Sequence, residues 1–323
     1  MRLLFRGVSR RRAIIDGNEV KMETLAEEIR RMAKEQDAVI LAHYYVDGAI
    51  QDIADYVGDS FYLAKVARQV PNKTILFCGV TFMGESAFLL SPDKTVLMPD
   101  MDAVCPMALM VDEEEIARVR KEYDDLAVVC YINSMAATKK LVDVCVTSSN
   151  ALKIVRRLPN KNIYFIPDNN LGGWIAEQIP EKNFILGDGC CHVHDAITTE
   201  DIKEYRSKYP EAKLLVHPEC RPEVSRMADY VGSTSGIISY ASESDCREFI
   251  IGTESGVLHE LKRQNPDKEF HFIEKEACDE MRMLSLEKVA KCLMNNLPAA
   301  CVPGEIRAAA QNSLDRMLEM AGA

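Results

Sequence analysis

The 323-residue sequence has no excess of positive charge, no long apolar run and few aromatics, with one tryptophan and 7% Phe, Trp and Tyr together. Its 39 basic against 50 acidic side chains give a formal net charge of −11. That balance removes the long-range attraction that phosphate backbones and anionic lipid surfaces exert, so nucleic acid is excluded as an expected partner. The longest apolar run, residues 103–111, has nine residues and contains Cys105 and Pro106. A bilayer span needs roughly 20, so no membrane partner is expected. The N-terminus carries Arg2, Arg6, Arg10, Arg11 and Arg12 around an apolar stretch too short for a secretory core. Residues 1–20 are therefore expected to be a basic, solvated tail. The 11 cysteines are an odd number in a chain without a secretion signal, which argues against a disulfide framework and for reduced thiols in the cytoplasm. A chain of this length buries about three-quarters of its unfolded surface. No metal is needed merely to hold its fold, and any metal would serve chemistry.

What is present is a rhythm of short Val-, Ile- and Leu-rich runs at residues 38–45, 73–80, 94–100, 126–133, 162–168, 184–189, 213–219, 247–254 and 269–274. Helical spacing with capping residues fills 22–36, 111–123, 198–210 and 255–266. Buried apolar strands alternating with amphipathic helices predict a parallel α/β fold. Cys78, Cys130 and Cys145 fall inside the apolar runs and read as core.

A self-comparison sharpens this. Ala54-Asp55-Tyr56-Val57-Gly58 recurs unchanged as Ala228-Asp229-Tyr230-Val231-Gly232, with Val142-Asp143-Val144-Cys145-Val146 between them. Hydroxyl residues follow each copy, and a strand ending in a polar pair precedes it: His43 and Tyr45, Tyr131 and Asn133, His217 and Glu219. The separations from His43 to Ser60, Tyr131 to Ser148 and His217 to Thr234 are all 17 residues, and successive units lie 88 and then 86 apart. Three homologous parallel α/β domains around a pseudo-threefold axis are expected, at 21–110, 111–197 and 198–285. The C-terminal helices then occupy 286–323.

The same register aligns Cys105, Cys191 and Cys278, 86 and 87 residues apart, although spacing alone does not choose between Cys190 and Cys191. Around a pseudo-threefold axis their thiols converge where α/β sheets bind ligands. Three thiolates suit a zinc site with a fourth ligand or a 4Fe-4S cluster with one iron open. The cysteines are isolated and not paired as zinc ligands usually are, and an open iron acts as a Lewis acid. Ser60, Ser148 and Thr234 sit where strands give way to helices, so three helix N-termini around one axis make an anion pocket. His43 and His217 add donors or general acids to it. Tyr45, Asn133 and Glu219 share the strand face of the preceding polar residue. Their divergence within a symmetric frame points to an asymmetric substrate and a Tyr/Glu acid–base pair.

These motifs, with Gln51-Asp52-Ile53-Ala54-Asp55, Val80-Thr81-Phe82-Met83, Cys191-His192-Val193-His194, His217-Pro218-Glu219-Cys220, Gly252-Thr253-Glu254 and Cys278 with Met281, closely resemble the A-type quinolinate synthase family of bacterial and archaeal NAD biosynthesis. The resemblance runs from about Leu25 to Leu286. It implies one 4Fe-4S cluster held by Cys105, Cys191 and Cys278, the family's Cys-x-Val-His pattern selecting Cys191 over Cys190. It also implies condensation of iminoaspartate with dihydroxyacetone phosphate to quinolinate, with loss of phosphate and two waters, the open iron acting as Lewis acid. By the same resemblance His43, Ser60, Ser148, His217 and Thr234 contact substrate carboxylate and phosphate, while Tyr45, Tyr131, Asn133 and Glu219 surround the reacting carbons. Functional coupling to L-aspartate oxidase follows from the substrate, and a homodimer is compatible with the sequence. The chain departs from the family at Val46 for Gln, at Phe88 for a frequent Lys, at Pro106 after the first ligand and at the extra thiol Cys190. Two rival readings are a related three-cysteine reductive or radical cluster enzyme and a non-catalytic cluster carrier or redox sensor.

Overall fold

The structure is a computed structural model that describes residues 13–16, 19–22 and 24–322. Fourteen strands are present among these residues. β1 (Ala13–Asp16) and β2 (Glu19–Met22) pair as an antiparallel hairpin. Part of the segment expected to be a solvated tail is therefore strand, in keeping with the β-branched Ile14, Ile15 and Val20, Ile15 pairing with Val20. The arginine-rich residues 1–12 lie outside the described residues.

The remaining strands form three parallel four-stranded sheets. The first contains β3 (Ala38–His43), β4 (Tyr56–Gly58), β5 (Thr74–Cys78) and β6 (Thr95–Leu97). The second contains β7 (Leu126–Tyr131), β8 (Val144–Val146), β9 (Asn162–Ile166) and β10 (Asn183–Leu186). The third contains β11 (Lys213–Val216), β12 (Tyr230–Val231), β13 (Glu248–Gly252) and β14 (Glu269–Phe272). Each sheet has the same spatial order, with its second strand at one edge and its first, third and fourth strands following in sequence. The fold is α/β, three homologous parallel units about a pseudo-threefold axis. Cys78, Cys130 and Cys145 are fully buried core residues.

The repeat extends to polar clamps that few would read as such in the sequence. Asp55, Asp143 and Asp229 each accept a hydrogen bond from the strand amide 15 residues earlier: Ile40 at 2.8 Å, Val128 at 2.7 Å and Leu214 at 2.8 Å. The three carboxylates thereby pin the short edge strands, β4, β8 and β12, to their neighbours. Three lysines act likewise at helix C-termini, where unpaired carbonyls attract a cation. Lys94 donates to Ala67 and Val70 O, Lys182 to Leu158 and Asn160 O, and Lys268 to Ala241 and Ser244 O. Replacing Asp229 with alanine leaves the Leu214 amide unpaired, and the expected cost is about 1–3 kcal/mol. Denaturant unfolding would show this as a lower midpoint at unchanged slope, with turnover per folded molecule retained.

The helix Gly304–Ala321 packs on β8 and on the helices Thr81–Leu90 and Ala136–Lys139, and the helix Leu286–Asn295 packs on Leu25–Glu35. One apolar core therefore joins the first two units and the C-terminal helices, while the third unit has a separate core on each face of its sheet. Among the described residues, no helix is long and apolar enough to cross a membrane.

Candidate active site at the meeting of the three units

Residues at and just beyond the carboxyl ends of strands in all three sheets line one central cavity. His43, Tyr45, Ser60, Cys105, Tyr131, Asn133, Ser148, Cys191, His217, Glu219, Thr234 and Cys278 all line it. Every site residue expected from the sequence is brought to this one place. Cys190 is not among the lining residues. Asp59, Glu254 and Glu280 also line the cavity, and no Lys or Arg is among its described lining residues. Any anion bound there meets hydroxyls, imidazoles and backbone N–H groups and no cationic side chain.

Ser60 and Thr234 are the first residues of the helices Ser60–Gln69 and Thr234–Glu243, and the caps themselves are Asp59 and Ser233. Because the preceding residues do the capping, the Ser60 and Thr234 hydroxyls are not consumed by their own helices. His43 and His217 are alike in a further way. The backbone N–H of Tyr45 donates to His43 Nδ1 at 3.2 Å, and that of Glu219 to His217 Nδ1 at 3.3 Å. A ring nitrogen that accepts carries no proton, so each neutral imidazole has its proton on Nε2. His217 Nε2 lies 3.1 Å from Ser148 Oγ. Burial lowers the pKa of both rings to about 3, with only partial opposition from the Glu219 charge. Of the two roles expected from sequence, donor or general acid, neutral donor is the one this geometry favours.

That depression has a sign that can be tested. An unfolded histidine titrates near 6.5, so in acid the unfolded chain binds protons that the buried rings refuse. The contribution of His43 and His217 is complete above about pH 6.5 and is lost as pH falls from there toward 3. Glu219, whose folded pKa is depressed, adds its own loss only below about pH 4.5. Thermal unfolding of anaerobically prepared protein should therefore fall between pH 6.5 and 4.5, and His217→Gln should flatten that slope. An unchanged slope would show that His217 is not neutral in the fold.

Glu219 is the centre of the polar network. One carboxylate oxygen accepts from the Tyr131 hydroxyl, and the other lies 2.9 Å from His194 Nδ1. Burial opposes its ionisation, but the charge that His217 takes up in strong acid, His194, and the hydrogen bonds from His194 and Tyr131 outweigh it and hold the carboxyl below the usual range. Burial pushes the Tyr131 and Tyr45 phenols up, the Glu219 charge adding to both. His194 Nε2 lies 2.9 Å from Thr253 Oγ1, Thr253 lies 2.9 Å from the Tyr45 hydroxyl, and Tyr45 lies 2.7 Å from Thr234 Oγ1. A continuous chain of hydrogen bonds thus joins Tyr131, Glu219, His194, Thr253 and Tyr45. Sequence reasoning did not single out His194 and Thr253. They have no counterparts at equivalent offsets in the other units, which is why a search by repeat passes over them.

The three cysteines share one local design. Each is the residue before a four-residue helical turn: Pro106–Leu109, His192–Asp195 and Asp279–Arg282. The backbone N–H three residues on, from Ala108, His194 and Met281, points at the sulfur. Burial pushes all three thiols up, Cys105 to about 12, against the pull of those N–H groups. Thiolates at these positions therefore need a bound metal to offset desolvation. Among the described residues, Cys191, His194 and Glu219 have ligand atoms all within 4.8 Å of one another, as do Glu248, Glu269 and His271 on the third sheet.

Residues 27–319 match the family model for quinolinate synthetase A protein, NadA. The chain belongs to the quinolinate synthetase A family. It is 50% identical over 298 residues to the quinolinate synthase of Clostridioides difficile, covering 92% of this chain and 98% of that protein. It is 49% identical over 298 residues to that of Fusobacterium nucleatum, covering 92% and 100%. It is 46% identical over 308 residues to quinolinate synthase 2 of Methanosarcina acetivorans, covering 94% and 99%. Like other quinolinate synthetase A proteins it is an enzyme. The family assignment favours neither the reductive enzymes nor the carrier.

Proposed function

We propose that this enzyme condenses iminoaspartate with dihydroxyacetone phosphate to quinolinate, releasing phosphate and two waters, with a 4Fe-4S cluster held by Cys105, Cys191 and Cys278. The observation that carries the reading is the placement of three turn-capping cysteines on the same cavity as the Glu219–Tyr131 pair. Three isolated cysteines, one from each unit and none in a Cys-x-x-Cys pair, suit such a cluster better than a single zinc ion. When bound, such a cluster supplies Lewis acidity at the iron without a protein ligand.

The chain's own residues supply the rest. Neutral His43 and His217 present Nε2–H donors, and with the Ser60, Ser148 and Thr234 hydroxyls and the helix N-termini they receive carboxylate and phosphate oxygens. The buried side-chain oxygen of Asn133 has no partner within the protein and is free to accept from the substrate nitrogen. Glu219, held ionised, removes the proton that enolises the triose. The Tyr131 hydroxyl, hydrogen-bonded to that carboxylate, orients it. The chain through His194 and Thr253 lets the proton reach Tyr45, whose hydroxyl donates it to a departing hydroxyl group. The division at 21–110, 111–197, 198–285 and 286–323 is part of this reading, supported by one complete sheet within each of the first three spans. So are a cytoplasmic setting, supply of iminoaspartate by an L-aspartate oxidase, and assembly as a homodimer.

Anaerobic enzyme incubated with dihydroxyacetone phosphate and enzymatically generated iminoaspartate should form quinolinate without added reductant. Chelation of the iron should abolish product. Turnover that appears only when electrons are supplied would contradict the condensation and support the reductive class.

A further inference from the structure

Behind the reacting residues lies a second set that repeats with the same period. Gln51, Lys139 and Ser225 follow Tyr45, Asn133 and Glu219 by six residues each, and lie 88 and 86 apart. All three are buried, at 4%, 0% and 7% exposure. The Gln51 amide donates to Tyr44 O at 3.0 Å and Val46 O at 2.9 Å, the two carbonyls flanking Tyr45, and to Gly256 O of the third unit at 3.1 Å. The Lys139 ammonium donates to Ile132 O at 2.9 Å and to Ser134 O, the two carbonyls flanking Asn133. Ser225 Oγ donates to Cys220 O at 3.4 Å, the carbonyl that follows Glu219. We propose that Gln51, Lys139 and Ser225 are positioning residues that fix the backbone under Tyr45, Asn133 and Glu219 and so aim those side chains into the cavity. What the aiming achieves rests on the catalytic reading above.

The choice of residue types supports a functional role over a packing one. A fully buried ammonium is expensive, and Lys139 spends its hydrogen bonds on one loop while lying over the ring of Phe82, a cavity residue. An apolar side chain would fill that space at lower cost. The lysine anchor falls where the side chain has least support elsewhere. Tyr45 is held by Thr234 and Thr253, and Glu219 by Tyr131 and His194. Asn133, whose side-chain oxygen has no partner, receives the charged anchor on both of its neighbours. Fixing both flanking carbonyls leaves its backbone little room to rotate, which is how rigid scaffolds keep a reacting group in place.

The test compares Lys139→Met, which keeps the length and removes the donors, with Lys139→Gln, which gives the second unit the first unit's solution. The holoenzyme is assayed for iron, for hydrogen exchange over residues 131–135, and for kcat and KM with dihydroxyacetone phosphate. Lys139→Met should keep its iron, exchange about tenfold faster over that segment, and lose on the order of 100-fold in kcat with KM changed by less than about threefold. Lys139→Gln should recover most of both losses. Unchanged exchange and kcat in Lys139→Met, or equal losses in the Met and Gln variants, would overturn the proposal. If Lys139→Met does not fold, Gln51→Leu carries the same expectation for residues 44–46. Should the wild-type enzyme make no quinolinate, the catalytic reading falls, and the exchange rates still decide whether Lys139 fixes the loop.

Discussion

Cys191→Ala is expected to strip the bound iron and abolish turnover, while Cys190→Ala leaves both intact. The two thiols are adjacent in sequence and opposite in placement. Cys191 lines the cavity at the head of the turn His192–Asp195, with the His194 N–H directed at its sulfur. Cys190 is partly exposed, faces Arg221 and Asp195, and is absent from the cavity wall. On the proposed ligand set, losing one of the three thiolates would leave a cluster two, too few to hold it in a buried, acidic cavity. Cys105→Ala and Cys278→Ala should behave as Cys191→Ala does, since all three occupy equivalent positions in their units. Iron and sulfide analysis of anaerobic protein checks this, and a full complement of iron in Cys191→Ala would remove it from the ligand set.

Glu219→Gln should retain the cluster and lose turnover by about 10²–10⁴-fold, the usual contribution of a general base. The amide has nearly the shape of the carboxylate and can keep the hydrogen bond from Tyr131. Its NH2 group would face the His194 nitrogen now 2.9 Å away, and it cannot take a proton from carbon. Because the carboxyl is held well below its ordinary range, activity should not fall with pH on account of Glu219 until well into acid. Turnover near the wild-type level in Glu219→Gln would take Glu219 out of the mechanism.

The sequence reveals the fold well because the architecture is a repetition, and repetition is visible without coordinates. The spacing of 88 and 86 residues locates the Asp clamps and the capping lysines, and that of 86 and 87 the cysteines, each held by backbone geometry common to the three units. Each of the nine short apolar runs overlaps a strand, most plainly where β3, β7 and β11 are buried on both faces and so built of Val, Ile and Leu, less so at the half-exposed β10 and β14. The site was legible where it follows the symmetry and illegible where it breaks it. His194 and Thr253 bridge Glu219 to Tyr45 across units, a contact between residues far apart in sequence that no local pattern encodes. The hairpin of β1 and β2 was hidden by the arginines before it, which drew attention to charge and away from the β-branched Ile14, Ile15 and Val20.

The most direct test of the account is a single preparation of anaerobic wild-type protein, analysed for iron and sulfide and then supplied with dihydroxyacetone phosphate and freshly generated iminoaspartate. The account predicts about four irons per chain and quinolinate formed without an added reductant. A stable, folded, iron-free protein that still makes quinolinate would contradict it.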